Sequence, residues 1–107
     1  MKQAILIFWF IFSAQVGLFV HASDYPFVSL SDLPDPLRYA WRNQQAEMTS
    51  TSHCAAAYDS PSDTEKMAFR CSIHIKMSSE GERRAMKYCE EKRAQKNIKA
   101  PCRLVRY

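Results

Sequence analysis

The chain has 107 residues, a formal net charge of +4, four cysteines and two glycines. This length bounds the protein to one small domain, and a single glycine after residue 22 leaves no means of building a glycine-rich phosphate loop. The sequence also lacks a G-x-S-x-G motif, which argues against the nucleophile elbow of serine hydrolases.

Residues 1–22 have the layout of a secretory signal peptide. Lys2 precedes an apolar run from Ala4 to Val20, and Val20-His21-Ala22 offers small residues at the minus-three and minus-one positions of a cleavage site. We therefore expect a secreted or periplasmic protein, cleaved near Ala22, with no stable membrane insertion afterwards. An uncleaved anchor is the alternative, since about 17 apolar positions approach the lower limit for a spanning helix.

Charge is divided unevenly along the rest of the chain. Residues 23–65 hold two Arg against seven acidic residues, a balance of −5, whereas residues 66–107 hold twelve Lys and Arg against four Glu, a balance of +8. A basic half of this strength attracts anionic partners, although charge alone determines neither the fold nor the partner. All four cysteines also follow residue 22, which in an exported chain predicts two disulfides.

A helix is predicted shortly after the start of the mature chain. Residues 23–34 carry two prolines and no helical period, which indicates an extended lead-in before a folded domain of residues 35–107. Asp35-Pro36 fits a helix start, with Asp35 as the N-cap. An apolar stripe then recurs at helical spacing through Leu37, Ala40, Trp41, Gln45 and Met48.

A β-hairpin is predicted next. Apolar and polar residues alternate throughout residues 67–77, and turn residues around Pro61 separate this long strand from a shorter one near residues 53–58. If the turn is centred between Ser62 and Asp63, Cys54 faces Cys71 and the apolar residues of both strands share one side. One register thus satisfies both a hydrophobic face and a Cys54–Cys71 disulfide.

The last third of the chain predicts a second helix and a final strand. Ser79-Glu80-Gly81-Glu82 matches a capping box, and Asn97 indicates the helix end. Residues 101–107 then form a short strand, with Cys102 placed to return to Cys89. The order of elements predicts an α+β domain, in which two helices cover one side of a three-stranded antiparallel sheet stapled by the Cys54–Cys71 and Cys89–Cys102 disulfides.

Metal and catalytic sites are not predicted. The closest zinc-type pairs are His53-Cys54 and Cys71-x-x-His74, and in the predicted strands the members of each pair point to opposite faces. The glutamates are interpreted as helix-surface partners of basic residues, Glu80 with Arg84 and Glu90 with Arg93. We therefore expect no cofactor and no enzymatic activity, with a small hydrolase as the opposing hypothesis.

A basic surface is the candidate binding site. The polar side of the predicted strand and the second helix together give the predicted basic face: Arg70, His74, Lys76, Arg83, Arg84 and Lys87. Such a face can bind phosphates, sulfates or an acidic protein through charge-assisted hydrogen bonds. A solvated face that keeps the domain soluble is the alternative. Interleaved aromatic residues are lacking, so nucleic acid is not an expected partner.

Residues 66–107 resemble the tail of small exported bacterial disulfide-bonded domains of unknown function. The resemblance is carried by Ala85, Cys89, Pro101-Cys102 and Leu104-Val105, in a helix followed by a Cys that opens a strand. It implies a hairpin–helix–strand unit with a Cys89–Cys102 bridge, and it implies no activity. The hairpin departs from the pattern, because the glycines and the Trp usual there are missing.

These features predict a small binding protein. The leading hypothesis is an inhibitor, immunity-type protein or effector accessory whose basic face engages an anionic protein or envelope polymer. The alternative is a cationic membrane-active or antimicrobial factor, although the apolar stripe of the second helix is short for an interfacial helix. The sequence leaves the oligomeric state open.

Overall fold

The computed structural model describes residues 25–107, so the predicted signal peptide lies outside the described residues. Its centre is a four-stranded mixed sheet in the order β1-β4-β2-β3. The strands are β1 (Phe27–Ser29), β2 (His53–Tyr58), β3 (Met67–Ser72) and β4 (Arg103–Arg106). The α-helices are α1 (Asp35–Gln44) and α2 (Ser78–Lys96), and short 3-10 turns span Leu30–Asp32, Gln45–Glu47 and Thr64–Lys66.

The predicted hairpin register is confirmed. β2 and β3 pair antiparallel from His53↔Ser72 to Tyr58↔Met67, with Cys54 opposite Cys71. The disulfides Cys54–Cys71 and Cys89–Cys102 are both formed, so the described residues contain no free cysteine. The α+β class with two helices is confirmed as well.

The prediction of three antiparallel strands was wrong. β1 adds a fourth strand, which pairs parallel with β4 from Phe27↔Leu104 to Ser29↔Arg106. The Leu104 N–H also donates to the Pro26 carbonyl, 2.9 Å away. Residues 27–29 are thus an edge strand within the expected lead-in, and three residues are too few to show an alternating pattern.

The helices cover both faces of the sheet, whereas the sequence predicted that they cover one. On the α1 side, Leu33 and Leu37 pack with Cys54, Ala56 and Val105. On the α2 side, buried residues of the helix and sheet form a second core of Ala55, Ala57, Ala68, Ala85, Cys89, Ile98, Cys102 and Leu104. Alanines on β2 make this possible, because short side chains let a helix approach the sheet closely.

β3 ends at Ser72, five residues before the predicted end of the strand. His74 lies in the left-handed region with a φ of 60°, and this conformation breaks the extended ribbon despite the continued alternation in sequence. The chain then runs through residues 73–77 as an irregular loop into α2.

The ends of the helices follow the prediction in part. α1 begins at Asp35, with Pro34 rather than Asp35 as the N-cap. The capping box at residues 79–82 is wrong, because Met77 is the N-cap of α2 and its side chain accepts no capping hydrogen bond. Asn97 does end α2, in the left-handed conformation with a φ of 54°, and the Ile98 N–H donates to the Arg93 carbonyl.

Basic residues at the end of α2 brace the fold through backbone carbonyls. Lys96 Nζ donates to the carbonyl oxygens of Thr64 and Met67, at 3.0 and 2.9 Å. Arg93 Nε donates to the Ala100 carbonyl at 2.7 Å. These bonds join α2 to the hairpin and to the loop before β4, so Lys96 and Arg93 stabilise the fold.

Asp59, just after the end of β2, links the hairpin to the same loop before β4. Its carboxylate accepts from the backbone N–H groups of Lys99 and Ala100, at 2.7 and 2.8 Å. The hydrogen bonds from Lys99 and then Ala100 hold the pKa of Asp59 below its usual range.

Candidate functional site

The loop of residues 73–77 is anchored to the segment before β2, and the first residue of α2 is anchored to the start of β2. Thr51 Oγ1 donates to the Ile75 carbonyl at 2.5 Å, and His53 Nε2 lies 2.7 Å from Ser78 Oγ in a hydrogen bond. The backbone strain at His74 is thus held within a defined loop, and strained backbone of this kind is characteristic of binding and switch regions.

A cleft of about 300 Å³ opens between this loop and the first turns of α2; we call it the His74 cleft. Two of its apolar side chains are Ile75, which is half-buried, and Met77, which is 63 % exposed. The full lining is His74, Ile75, Lys76, Met77, Glu80 and Arg84. Three basic side chains therefore surround a small apolar patch.

Glu80 organises the arginines at this cleft. Its carboxylate accepts from Arg83 Nε and Nη2, at 3.1 and 2.5 Å, and from Arg84 Nε at 2.8 Å. The hydrogen bonds from Arg83 and then Arg84 lower the pKa of Glu80 from 4.5 to about 2. The predicted Glu80–Arg84 pair is present, and one carboxylate holds two guanidinium groups in place.

The predicted basic face is only partly assembled. His74, Lys76 and Arg84 line the cleft together, whereas Arg70, Arg83 and Lys87 lie outside it. Arg70 is exposed, with its guanidinium carbon 5.9 Å from the centroid of the Tyr88 ring. β3 does not extend to His74 and Lys76, so these two residues belong to a loop rather than to one face of a strand.

A second concentration of cations was not anticipated from the sequence. A cleft of about 540 Å³, which we call the arginine cleft, lies where β1 and β4 end beside α1. It is lined by Ser29, Leu30, Ser31, Arg38, Arg42, Arg106 and Tyr107. The spacing of Arg38 and Arg42 on one helix was the available signal, but the parallel β1–β4 pairing that places Ser29 and Arg106 at the edge of this cleft has no local signature.

Two further features of residues 25–107 bear on the kind of site. No group of three or more His, Cys, Asp or Glu side chains within this range could hold a metal ion. None of its helices combines the length and the apolar character needed to cross a bilayer.

No protein-family model, curated protein or solved structure matches the chain. The resemblance of residues 66–107 to exported bacterial domains therefore stays a prediction. Function is therefore inferred from the two clefts and their charged side chains.

Glu80 gives the site a measurable pH dependence. Because the folded pKa of about 2 lies below the ordinary value of 4.5, the contribution of Glu80 to stability is complete above pH 4.5 and is lost as pH falls toward 2. We expect Glu80→Gln to reduce the loss of stability over this range, as measured by urea unfolding at pH 7, 4 and 2.5. Glu91→Gln, at an exposed position on α2, is the control. Identical pH profiles for wild type and Glu80→Gln would contradict this role.

Proposed function

We propose that the protein is a secreted or periplasmic binding protein that engages an acidic protein partner through the His74 cleft. The observation that carries the proposal is the placement of three basic side chains around exposed Met77 and half-buried Ile75. In this proposal the cations recognise carboxylates of the partner, while the apolar pair supplies buried contact area. The protein acts by binding and not by catalysis.

The mixed character of the cleft favours a protein partner over an envelope polymer. A polyanion is bound mainly by charge, and exposed charge pairs weaken with salt. Met and Arg are enriched in protein interfaces, where apolar contacts are packed and screened less. Arg84 is also pre-oriented by Glu80, which reduces the side-chain entropy lost on binding.

Other features support a folded, exported binding domain. Disulfides persist in oxidising compartments such as the periplasm or the cell exterior, and this chain has two. Ala85 and Cys89 of α2 lie in the core and Met86 packs against it, while Arg93 and Lys96 donate to backbone carbonyls. An interfacial membrane helix needs a free apolar stripe, so these features favour the binding proposal over the membrane-active alternative.

Partner capture with matched variants tests the proposal. The oxidised protein is immobilised and exposed to envelope or host extract, first at low salt and then at about 0.15 M, where the screening length is about 8 Å. The test variant is Lys76→Gln/Arg84→Gln. Its control, Lys92→Gln/Lys99→Gln, removes the same charge outside the cleft. We expect one acidic protein to stay bound to wild type and control at the higher salt, and the test variant to bind that purified protein at least about tenfold more weakly.

Three results would overturn the proposal. Equal binding by both double variants would show that the His74 cleft is not part of the interface. Retention of salt-labile polymers or lipids alone would indicate a general cationic surface. An absence of retained molecules at both salt concentrations would indicate that the basic residues serve solubility.

A further inference from the structure

β3 is the last strand of the sheet, and one of its two edges is paired with β2. Within the part of the chain that the structure describes, no strand pairs with the other edge, which we call the β3 edge. The outermost strand on the far side of the sheet, β1, has three residues, whereas β3 has six. The β3 edge is therefore the longer of the two templates on which a further strand can pair.

Two hydrogen bonds show which backbone groups point out of the β3 edge. The Lys66 carbonyl accepts from the N–H of the residue that follows β2, at 2.9 Å, so it points toward β2. The next carbonyl, that of Met67, accepts instead from Lys96 Nζ on α2, also at 2.9 Å. Because backbone groups of successive residues alternate between the two edges of a strand, the N–H and C=O groups of Phe69 and Cys71 point away from β2.

The loop after β3 turns toward β2 and not along this edge. The chain bends at His74, in the left-handed region, and the Ile75 carbonyl accepts a hydrogen bond from Thr51, which precedes β2. Ser78, the first residue of α2, bonds to His53 at the start of β2. These contacts hold the loop on the β2 side, so it leaves the outward groups of β3 accessible.

The two sides of the sheet beside the β3 edge differ in chemistry. On the α1 side, half-buried Phe69 packs against the core and offers an apolar surface. Arg70 alternates to the α2 side, where it is exposed and its guanidinium carbon lies 5.9 Å from the centroid of the Tyr88 ring. Among residues 25–107, no carboxylate forms an ion pair with Arg70.

Positive charge also marks both ends of the β3 edge. The ammonium group of Lys96 lies at its start, where it bonds to the carbonyls of Thr64 and Met67. The His74 cleft, with its three basic side chains, follows directly after its end at Ser72. A strand paired with β3 would therefore meet cations at each end and along one face, which favours an acidic occupant.

We propose, as an extension that rests on the proposed function, that the β3 edge binds an extended acidic segment of the partner protein as an added strand of the sheet. The backbone of the segment bonds to the outward groups of Phe69 and Cys71. Its carboxylates lie on the α2 side beside Arg70, and its apolar side chains lie on the α1 side beside Phe69. A second copy of β3 fits this edge poorly, because two Arg70 side chains would lie opposite or diagonal to each other, where like charges destabilise.

The test uses the defined peptide acetyl-EVEVEVE-amide and measures amide hydrogen exchange of the oxidised protein by NMR. In the free protein we expect Ala68 and Arg70, whose N–H groups bond to β2, to exchange more slowly than Phe69 and Cys71. Saturating peptide should slow exchange at Phe69 and Cys71 by about tenfold or more, because their N–H groups become hydrogen-bonded.

Two modified peptides separate strand pairing from charge attraction. In one, every valine is N-methylated, and in the other, every glutamate is. In an extended peptide these two sets of N–H groups lie on opposite edges, and only one edge can face β3. We expect one of the two peptides to lose binding and the other to bind like the unmodified peptide.

Matched charge reversals test the role of Arg70. Arg70→Glu should weaken peptide binding by about tenfold or more. Arg42→Glu is the control, because Arg42 is equally exposed but lies on α1 near the ends of β1 and β4. It should bind the peptide like the parent protein, and urea midpoints verify the folding of both variants.

Three results would overturn the added-strand proposal. The first is unchanged exchange at Phe69 and Cys71 in the presence of the peptide. The second is equal binding of both N-methylated peptides, which would indicate charge attraction alone. The third is protection of the same amides without peptide that increases with protein concentration, which would identify a second copy as the occupant.

The added strand and the proposed function can fail separately. Capture of an acidic protein that depends on Lys76 and Arg84 but is unchanged in Arg70→Glu would overturn the added strand alone. Peptide binding at the β3 edge without capture of any acidic protein would overturn the proposed function alone.

Discussion

Replacing Cys89 and Cys102 together by Ala is expected to lower the free energy of unfolding by about 3 kcal/mol or more, the value typical of a disulfide that closes a loop of this size. The bridge spans a sequence separation of 13 residues and joins α2 to β4. Both cysteines are at most 1 % exposed and lie in the core on the α2 side. The variant therefore loses a covalent constraint and also leaves poorly filled space in the core.

The Cys54→Ala/Cys71→Ala variant is the matched comparison. That bridge links directly opposed residues of a hairpin in which six residue pairs maintain the register. The two loops, 17 and 13 residues, are similar enough that their chain-entropy contributions are nearly equal. Because Cys71 is only half-buried, removal of the hairpin bridge leaves less unfilled space in the core, and we expect a smaller loss than for the Cys89–Cys102 bridge. Urea unfolding of both double variants under identical conditions measures the difference. A larger loss for the hairpin bridge would contradict the assignment of Cys89–Cys102 as the main tie between the helix and the sheet.

Gly81→Ala is expected to be strongly destabilising although it adds only one methyl group. A Cβ built at Gly81 would lie 2.4 Å from the backbone oxygen of Thr51, closer than a real contact permits, and 3.1 Å from the His53 ring. Overpacking costs typically about 1–3 kcal/mol, and a clash with a backbone atom puts this substitution near the upper end. The gain in helix propensity recovers about 1 kcal/mol, so we expect a net loss of about 2 kcal/mol.

Thermal or urea unfolding measures this effect, and a loss of about 2 kcal/mol lowers the Tm of a domain of this size by about 10 °C. Glu91→Ala, at an exposed position on the same helix, is the control and should change stability by no more than about 0.5 kcal/mol. Unchanged or increased stability for Gly81→Ala would show that α2 does not pack this closely against the segment before β2.

The hairpin was predictable because two independent patterns agreed. Strand alternation required that the apolar residues share one side, and the cysteines required that Cys54 face Cys71, which left one register. Asn97 was predictable as the end of α2 for a local reason, since asparagine tolerates the left-handed conformation that ends a helix.

Features that depend on distant pairing were not predictable. β1 is three residues long and finds its partner β4 across most of the domain, so no local pattern marks it as a strand. The position of α2 on the opposite face from α1 depends on Ala55, Ala57 and Ala68. On sequence alone, small side chains at these positions fit an exposed face as well as a closely packed one.

For the candidate site, the sequence predicted which kinds of residue are present but not how they are arranged. The basic residues of the second half of the chain were evident from the sequence. Because the left-handed backbone at His74 ends the strand, a loop and a cleft are found where a strand face was predicted. Local charge pairing was anticipated through Glu80 and Arg84. The arginine cleft depends on the β1–β4 pairing, and it was missed for the same reason as that pairing.

We expect binding to require the folded, disulfide-bonded domain, unlike the action of a cationic peptide. The decisive measurement compares the oxidised protein with the reduced and alkylated protein, each immobilised at equal density and exposed to the same extract at about physiological salt. We expect the oxidised protein to retain one acidic protein and the alkylated protein to lose it. Equal retention by both forms, or equal leakage of anionic vesicles treated with either form, would show that the cationic sequence acts without the fold.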